Sequence, residues 1–200
     1  EDRTLLQSAA RAVLLSRRGS LTEQVIRLER PERIARPAAP SRSRKTEGEA
    51  STPRPELEYF NGLGGFAGDG REYVTILGPG QSTPAPWLNV IANQSFGFQV
   101  SESGSGFTWS ENSRENQLTG WSNDPVSDPA GEAIYIRDDD SGELWGPSAL
   151  PIRCAESTYV ARHGAGYSRF EHLHDGIHAE LVQFVPLDDT VKVSVLTIEN

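Results

Sequence analysis

The chain of 200 residues is 36% hydrophobic and carries a net charge of -9. It is long enough for one domain plus a tail, and it holds no apolar run able to span a bilayer. The charge is lopsided: residues 1–55 hold 12 Lys/Arg against 7 Asp/Glu and the remainder 7 against 21, so the acidic body repels phosphate backbones and nucleic acid is not expected as a partner. Cys154 is the single cysteine, which excludes an intrachain disulfide framework and a multi-cysteine zinc site and fits a reduced compartment.

Residues 1–30 read as a helical leader. Leu5, Leu6, Ala9, Ala10, Val13 and Leu14 recur at three- and four-residue spacing, Gly19 interrupts, and Ser20 with Glu23 has the spacing of a capping box that opens a second short helix ending before Pro31. Residues 31–55 are rich in Pro, Ala, Ser and Arg, with almost no large apolar side chain to offset the entropy of ordering, and read as a linker. From residue 56 to 200 the texture changes to short alternating segments separated by Gly, Pro, Asn and Asp. Strands are predicted at Glu72–Leu77, Trp87–Ala92, Phe96–Ser101, Ala133–Arg137, Tyr159–Arg162, Tyr167–Leu173, Ile177–Val185 and Val191–Ile198. Many short strands with turn signals between them predict an all-β, antiparallel sandwich or barrel. The chain lacks methionine and its last predicted strand runs almost to Asn200, which together suggest a piece of a larger protein.

Few motifs in this body carry chemistry. Gly62–Gly68 has glycines at dinucleotide-fingerprint spacing, but that motif needs a strand before it and a helix after it, and here the glycines more naturally give turns or let backbone approach backbone. His172, His174, His178 and Glu180 come close to the metal motif of cupin barrels and would share one face of an uninterrupted strand. Asp175-Gly176 is, however, a hairpin signal that would divide them. Cys154 has no base beside it in sequence, and Asp138–Asp140 reads as a solvated turn.

The run from Trp109 to Glu132 is different. It has no sustained apolar period, yet it holds two of the four tryptophans among asparagines, carboxylates and an arginine. Aromatic faces beside amides and carboxylates suit a pyranose, which offers an apolar face for stacking and hydroxyls for paired hydrogen bonds. A structural loop whose Asn and Asp cap turns has the same composition. Residue chemistry leaves the two readings level.

The stretches "LEYFNGLGGFAGDGREYVTIL", "TPAPWLNVIANQSFGFQVSESGSGFTWSENSRENQLTGWSNDPVSDPAGEAIYIRD", "GELWGPSALPIR" and "RHGAGYSRFEHLHDGI" resemble the amino-terminal sandwich of the glycoside hydrolase family 94 phosphorylases, most closely that of bacterial cyclic β-1,2-glucan synthases. The resemblance runs from about Leu57 to Asn200. It departs at Gly120, where proline is expected, and at Gly146 and Ser148 in "WGPSALP", where the family tends to read "WSPTALP". It implies a β-sandwich, incomplete at its carboxy end, inside a large enzyme on the cytoplasmic side of the bacterial inner membrane. In such phosphorylases a carboxylic acid of a helical barrel, carboxy-terminal to the sandwich, assists inverting attack by phosphate on the anomeric carbon. The barrel is absent from this chain, so the chain alone is expected to be inactive and to need no cofactor or metal. Its expected partners are β-1,2-glucan oligosaccharide, the barrel and, through the loop, a second subunit. Trp109 and Trp121 would stack on glucosyl rings, and Asn112, Arg114, Asn116, Asn123 and Asp124 would pair with hydroxyls. Asp128 and Glu132 would fix the loop's own turns. The rival expectations are a cupin-like metal protein using His172, His174 and Glu180, and a spacer that never touches sugar.

Overall fold

A computed structural model describes residues 19, 20, 22, 23, 55–68 and 70–200. Most of the predicted helical leader and linker lies outside these residues. The capping box is described: Ser20 N donates to Glu23 Oε2 at 2.8 Å and Glu23 N donates to Ser20 Oγ at 3.4 Å, the reciprocal pairing that closes a helix N-terminus.

The body is all-β. Strands β1 (Gly64–Ala67), β2 (Glu72–Leu77), β8 (Tyr159–Gly164), β9 (Tyr167–His174), β10 (Ile177–Phe184) and β11 (Val193–Glu199) form a six-stranded antiparallel sheet in the order β1-β2-β8-β9-β10-β11. Strands β3 (Leu88–Ala92), β4 (Phe96–Ser101) and β5 (Gly106–Ser110) form a second sheet, and β6 (Ile136–Arg137) pairs with β7 (Leu144–Trp145) in a short ribbon. Ile91, Phe98 and Val100 of the three-stranded sheet pack against Ala161, Phe170 and Leu181 of the six-stranded sheet, which makes the pair a sandwich.

Register explains which side chains reach that core. Ala161, Phe170 and Leu181 are cross-strand partners in one row, and the neighbouring row is Tyr159, His172 and Ala179. Burial alternates with period two along β9 and β10, as a sheet covered on one face requires. On β2 both faces are buried, because Leu57 and Ala67 cover Val74, Ile76 and Val160 on the outer side. Asn89 ties the layers: its Nδ2 donates to Gly164 O at 3.0 Å and Tyr167 O at 2.9 Å, fixing β3 on the β8–β9 turn.

Three strands were not foreseen. β1 lies within the glycine run, where Gly64 and Gly65 permit an approach that side chains would block: a Cβ on Gly64 would sit 2.6 Å from Val74 O, and one on Gly65 2.6 Å from Glu58 O. A strand thus lies within the glycine run and β2 follows it, where the dinucleotide motif needs a helix. β5 ends inside the polar run, of which Trp109 and Ser110 are its last two residues, and β7 is two residues long. Predicted Ala133–Arg137 shrinks to Ile136–Arg137.

β11 forms one border of the larger sheet, and no strand pairs with its outer edge among the described residues. Val195, Leu196 and Ile198 remain exposed on its two faces.

Candidate functional site: an aromatic loop beside the smaller sheet

The loop begins at β5. Phe107 pairs with Gln99 and Trp109 with Gly97, so both aromatics stand on the outer face of the three-stranded sheet while Thr108, opposite Phe98, turns inward. Gly97 gives Trp109 its seat: a Cβ there would come within 2.6 Å of the indole. The chain then folds back along the free edge of β5. Trp109 and Gln117 form an isolated antiparallel bridge, and Leu118 N donates to Thr108 O at 2.8 Å. This return carries Trp121 over Phe107, with ring centroids 5.2 Å apart, while Trp109 flanks the same phenyl ring at 5.3 Å.

The predicted contact residues fall into two groups. Trp121, Asn123 and Asp124 line one shallow cavity of about 130 Å³ with Pro86, Leu88 and Gln99. Asn112, Arg114 and Asn116 belong to the exposed tip between β5 and its return, and they do not line that cavity. Local bonds occupy several of these side chains. Asn112 Oδ1 accepts from Arg114 N and Glu115 N, both at 2.9 Å, and Arg114 Nε lies 3.4 Å from Glu115 Oε1. Asp124 accepts from Val126 N at 2.9 Å and from Ser127 Oγ at 2.5 Å; the Ser127 hydroxyl, then the backbone amides, hold its carboxyl below the ordinary aspartate value.

The far end of the loop is anchored in the layer between the sheets. Glu132 Oε1 accepts from Thr108 Oγ1 at 2.5 Å and Thr119 Oγ1 at 2.6 Å, and Oε2 meets Lys192 Nζ at 2.5 Å. Burial pushes the Glu132 carboxyl up, but the bonds from Lys192, Thr108 and Thr119 together hold it below its ordinary value. Lys192 also lies 4.3 Å above the centroid of Phe98, which places a cation over a core aromatic. Asp128 accepts from Ser101 Oγ at 2.6 Å in a left-handed backbone conformation (φ 42°). Asp128 and Glu132 thus fasten the loop to the sandwich.

The cupin-like metal set is not assembled. The Asp175-Gly176 hairpin pairs His174 with Ile177 and His172 with Ala179, so His172 and His174 share the inner face with Ala179. His178, opposite Leu173, and Glu180, opposite Glu171, fall on the outer face, where Glu180 lies 3.7 Å from Arg169. A two-residue turn reverses the alternation that one continuous strand would have kept. Cys154, in contrast, does have a base nearby: its Sγ lies 3.5 Å from His174 Nδ1, a contact across 20 positions that local sequence does not reveal. Asp138 caps its own turn, accepting from Asp140 N at 2.8 Å and Ser141 Oγ at 2.8 Å, as a solvated acidic turn should.

Comparison with known proteins bears on this arrangement. The family described as glycosyl hydrolase 94, supersandwich domain, matches residues 71–200. The chain is 40% identical to the cyclic β-(1,2)-glucan synthase NdvB of Rhizobium meliloti (strain 1021), over all of this chain and 7% of that protein. It is 34% identical to the N,N'-diacetylchitobiose phosphorylase of Vibrio proteolyticus, over 68% of this chain and 17% of that one. The solabiose phosphorylase of Paenibacillus borealis is 31% identical over 70% of this chain and 18% of that enzyme. The chain therefore spans between 7% and 18% of the length of these relatives.

Proposed function

Because the chain belongs to the glycosyl hydrolase 94 supersandwich domain family, we propose that it is an accessory carbohydrate-binding domain that positions β-1,2-glucan for a phosphorylase-type catalytic barrel of the same protein. The parent protein in this reading is a cyclic β-1,2-glucan synthase at the cytoplasmic side of the bacterial inner membrane, and a second subunit meets the loop. No helix among the described residues is long and apolar enough to cross a membrane.

The observation that carries the proposal is Trp121. Its indole is 46% exposed although it stacks on Phe107, and it stands at a cavity with the amide of Asn123 and the carboxylate of Asp124. An exposed indole beside polar side chains is the pairing a glucosyl unit requires, an apolar platform next to hydroxyl partners. Trp109 buttresses the platform, and Asn112, Arg114 and Asn116 extend the polar surface along the tip. Titration with linear β-1,2-gluco-oligosaccharides, followed by tryptophan fluorescence and NMR shifts, tests this: saturable changes centred on Trp121 are expected, and a folded but silent protein would overturn direct contact. The same protein should not turn over β-1,2-glucan with phosphate; observed turnover would contradict its accessory role.

One observation favours a spacer instead. Asn112 and Asp124 already spend acceptor atoms on their own turns, which is how an architectural loop is built. Alanine at Trp121 in the full-length parent enzyme separates the readings, because a spacer would lose stability and keep the product chain length.

A further inference from the structure

We propose that Cys154, His172 and His174 form a binding site for a zinc-like metal ion, held by one thiolate and two imidazoles between the segment after β7 and the inner face of β9. The proposal is independent of the sugar site. One donor atom from each of the three residues lies within 4.8 Å of the other two. The Cys154 Sγ to His174 Nδ1 separation of 3.5 Å agrees with the edge of a tetrahedron, about 3.5 Å, built from Zn–S and Zn–N bonds of about 2.3 and 2.0 Å.

A hydrogen bond at His172 and a carboxylate contact at His174 set the two tautomers for this task. His172 Nδ1 lies 2.8 Å from Gly146 O, a carbonyl that can only accept, so Nδ1 carries the proton and Nε2 keeps its lone pair. That Nε2 is buried without a hydrogen-bond partner, on a side chain that is 0% exposed. His174 is arranged in the opposite sense: its Nε2 lies 3.4 Å from Glu143 Oε1, which leaves Nδ1, the nitrogen beside Cys154, as the ligand atom. A ligating histidine whose other nitrogen donates to a carbonyl or carboxylate is the usual outer shell of a metal centre. Rigid packing holds the set in place. His172 stacks on Tyr159 with centroids 4.0 Å apart, His174 lies against Trp145 at 5.0 Å, and Cys154 N donates to Tyr159 Oη at 2.9 Å.

Charge favours a cation over a free nucleophile. The carboxylates of Glu143 and Asp175 each bring an oxygen within 4.8 Å of a His174 nitrogen. A bound cation turns these carboxylates into stabilising neighbours and displaces the thiol proton to solvent. Three protein ligands leave a fourth position for water or another small donor.

Cobalt(II) and zinc(II) titrations of the 200-residue chain test the site. Saturation at one equivalent is expected, with a thiolate-to-cobalt charge-transfer band that zinc removes, and zinc should protect Cys154 from alkylation until a chelator is added. Cys154→Ser should abolish the band and His174→Asn should weaken binding at least about tenfold, while His178→Ala, on the other face, should bind normally. Thiol protection in the unmodified protein gives a readout that does not depend on how the variants fold. A folded chain that shows neither band nor protection with zinc in excess, or a band that survives Cys154→Ser, would overturn the proposal.

Discussion

Trp121 lies nearly parallel on Phe107, with planes inclined by 21°, and leaves that phenylalanine 3% exposed while remaining half-exposed itself. One face of the indole thus closes the outer surface of the smaller sheet, and the other is open to a ligand. Trp121→Ala is expected to lower affinity for linear β-1,2-gluco-oligosaccharides about tenfold, since losing an aromatic platform costs about 0.5–1.5 kcal/mol beyond the area it covers. Fluorescence or NMR titration measures the loss, and unchanged affinity would remove Trp121 from the contact surface.

Trp109 has the reverse balance. It fills the space above Gly97 and flanks Phe107, so Trp109→Ala should destabilise by about 2–3 kcal/mol, somewhat less than truncation of a fully buried tryptophan. Urea denaturation monitored by circular dichroism checks the difference between the two tryptophans; equal costs would mean that the loop does not divide its aromatics between seat and platform.

Lys192 and Glu132 join the loop to the segment preceding β11 across 60 positions of sequence. Lys192→Met should destabilise by about 2–4 kcal/mol, because it leaves a half-buried carboxylate facing only two hydroxyls. Glu132→Gln should cost less, since an amide can still accept from Thr108 and Thr119. A double-mutant cycle read by denaturation measures the coupling, which is expected to be clearly favourable.

Acid should weaken the fold in two successive windows. Burial lowers His163 to about 4, so it folds neutral while the unfolded chain takes up a proton near 6.5. Its contribution is complete above about pH 6.5 and is lost as pH falls toward 4, by an amount on the order of 3 kcal/mol. Glu132, held below its ordinary value, adds stability that is present above about 4.5 and lost as pH drops further. Denaturation midpoints between pH 7 and 4 should fall, and His163→Gln should remove only part of the upper window, because burial lowers His172 to about 4 as well.

Two glycines of the loop should respond oppositely to alanine. A Cβ on Gly131 would sit 2.0 Å from Gly120 O and 2.6 Å from Gly106 O, contacts with backbone that cannot swing away. Gly131→Ala should cost more than about 2 kcal/mol. At Gly120, by contrast, a Cβ meets nothing within 4 Å and φ is not in the left-handed region, so Gly120→Ala should be neutral or stabilise by up to about 1 kcal/mol. Thermal melts of both variants decide the matter.

What could be read from sequence follows the range of the interaction that builds each feature. The β9–β10 hairpin announces itself, because strict alternation on either side of Asp175-Gly176 is both its cause and its signature. β1 and β5 do not, since Gly64 and Gly65 carry no strand preference and Trp109 is placed by Gly97 on another strand. The loop's tryptophans were legible as unusual, yet their division of labour depends on Phe107, which composition alone does not single out. Cys154 beside His174 was invisible for the same reason: the pairing depends on how the segment after β7 returns to β9, and no local pattern encodes that.

The uncovered border strand has a practical side. Among the described residues no strand covers the outer edge of β11, whose backbone amides and carbonyls are flanked by exposed Val195, Leu196 and Ile198, with little charge to discourage a visitor. A second molecule can align its own β11 along that edge, and such an encounter grows with concentration and with salt that screens the net charge of -9. Handling the chain on its own thus becomes a colloidal problem before it is a folding one: a lysine at Val195 should extend the concentration range over which light scattering stays monomeric, without disturbing the loop on the other sheet.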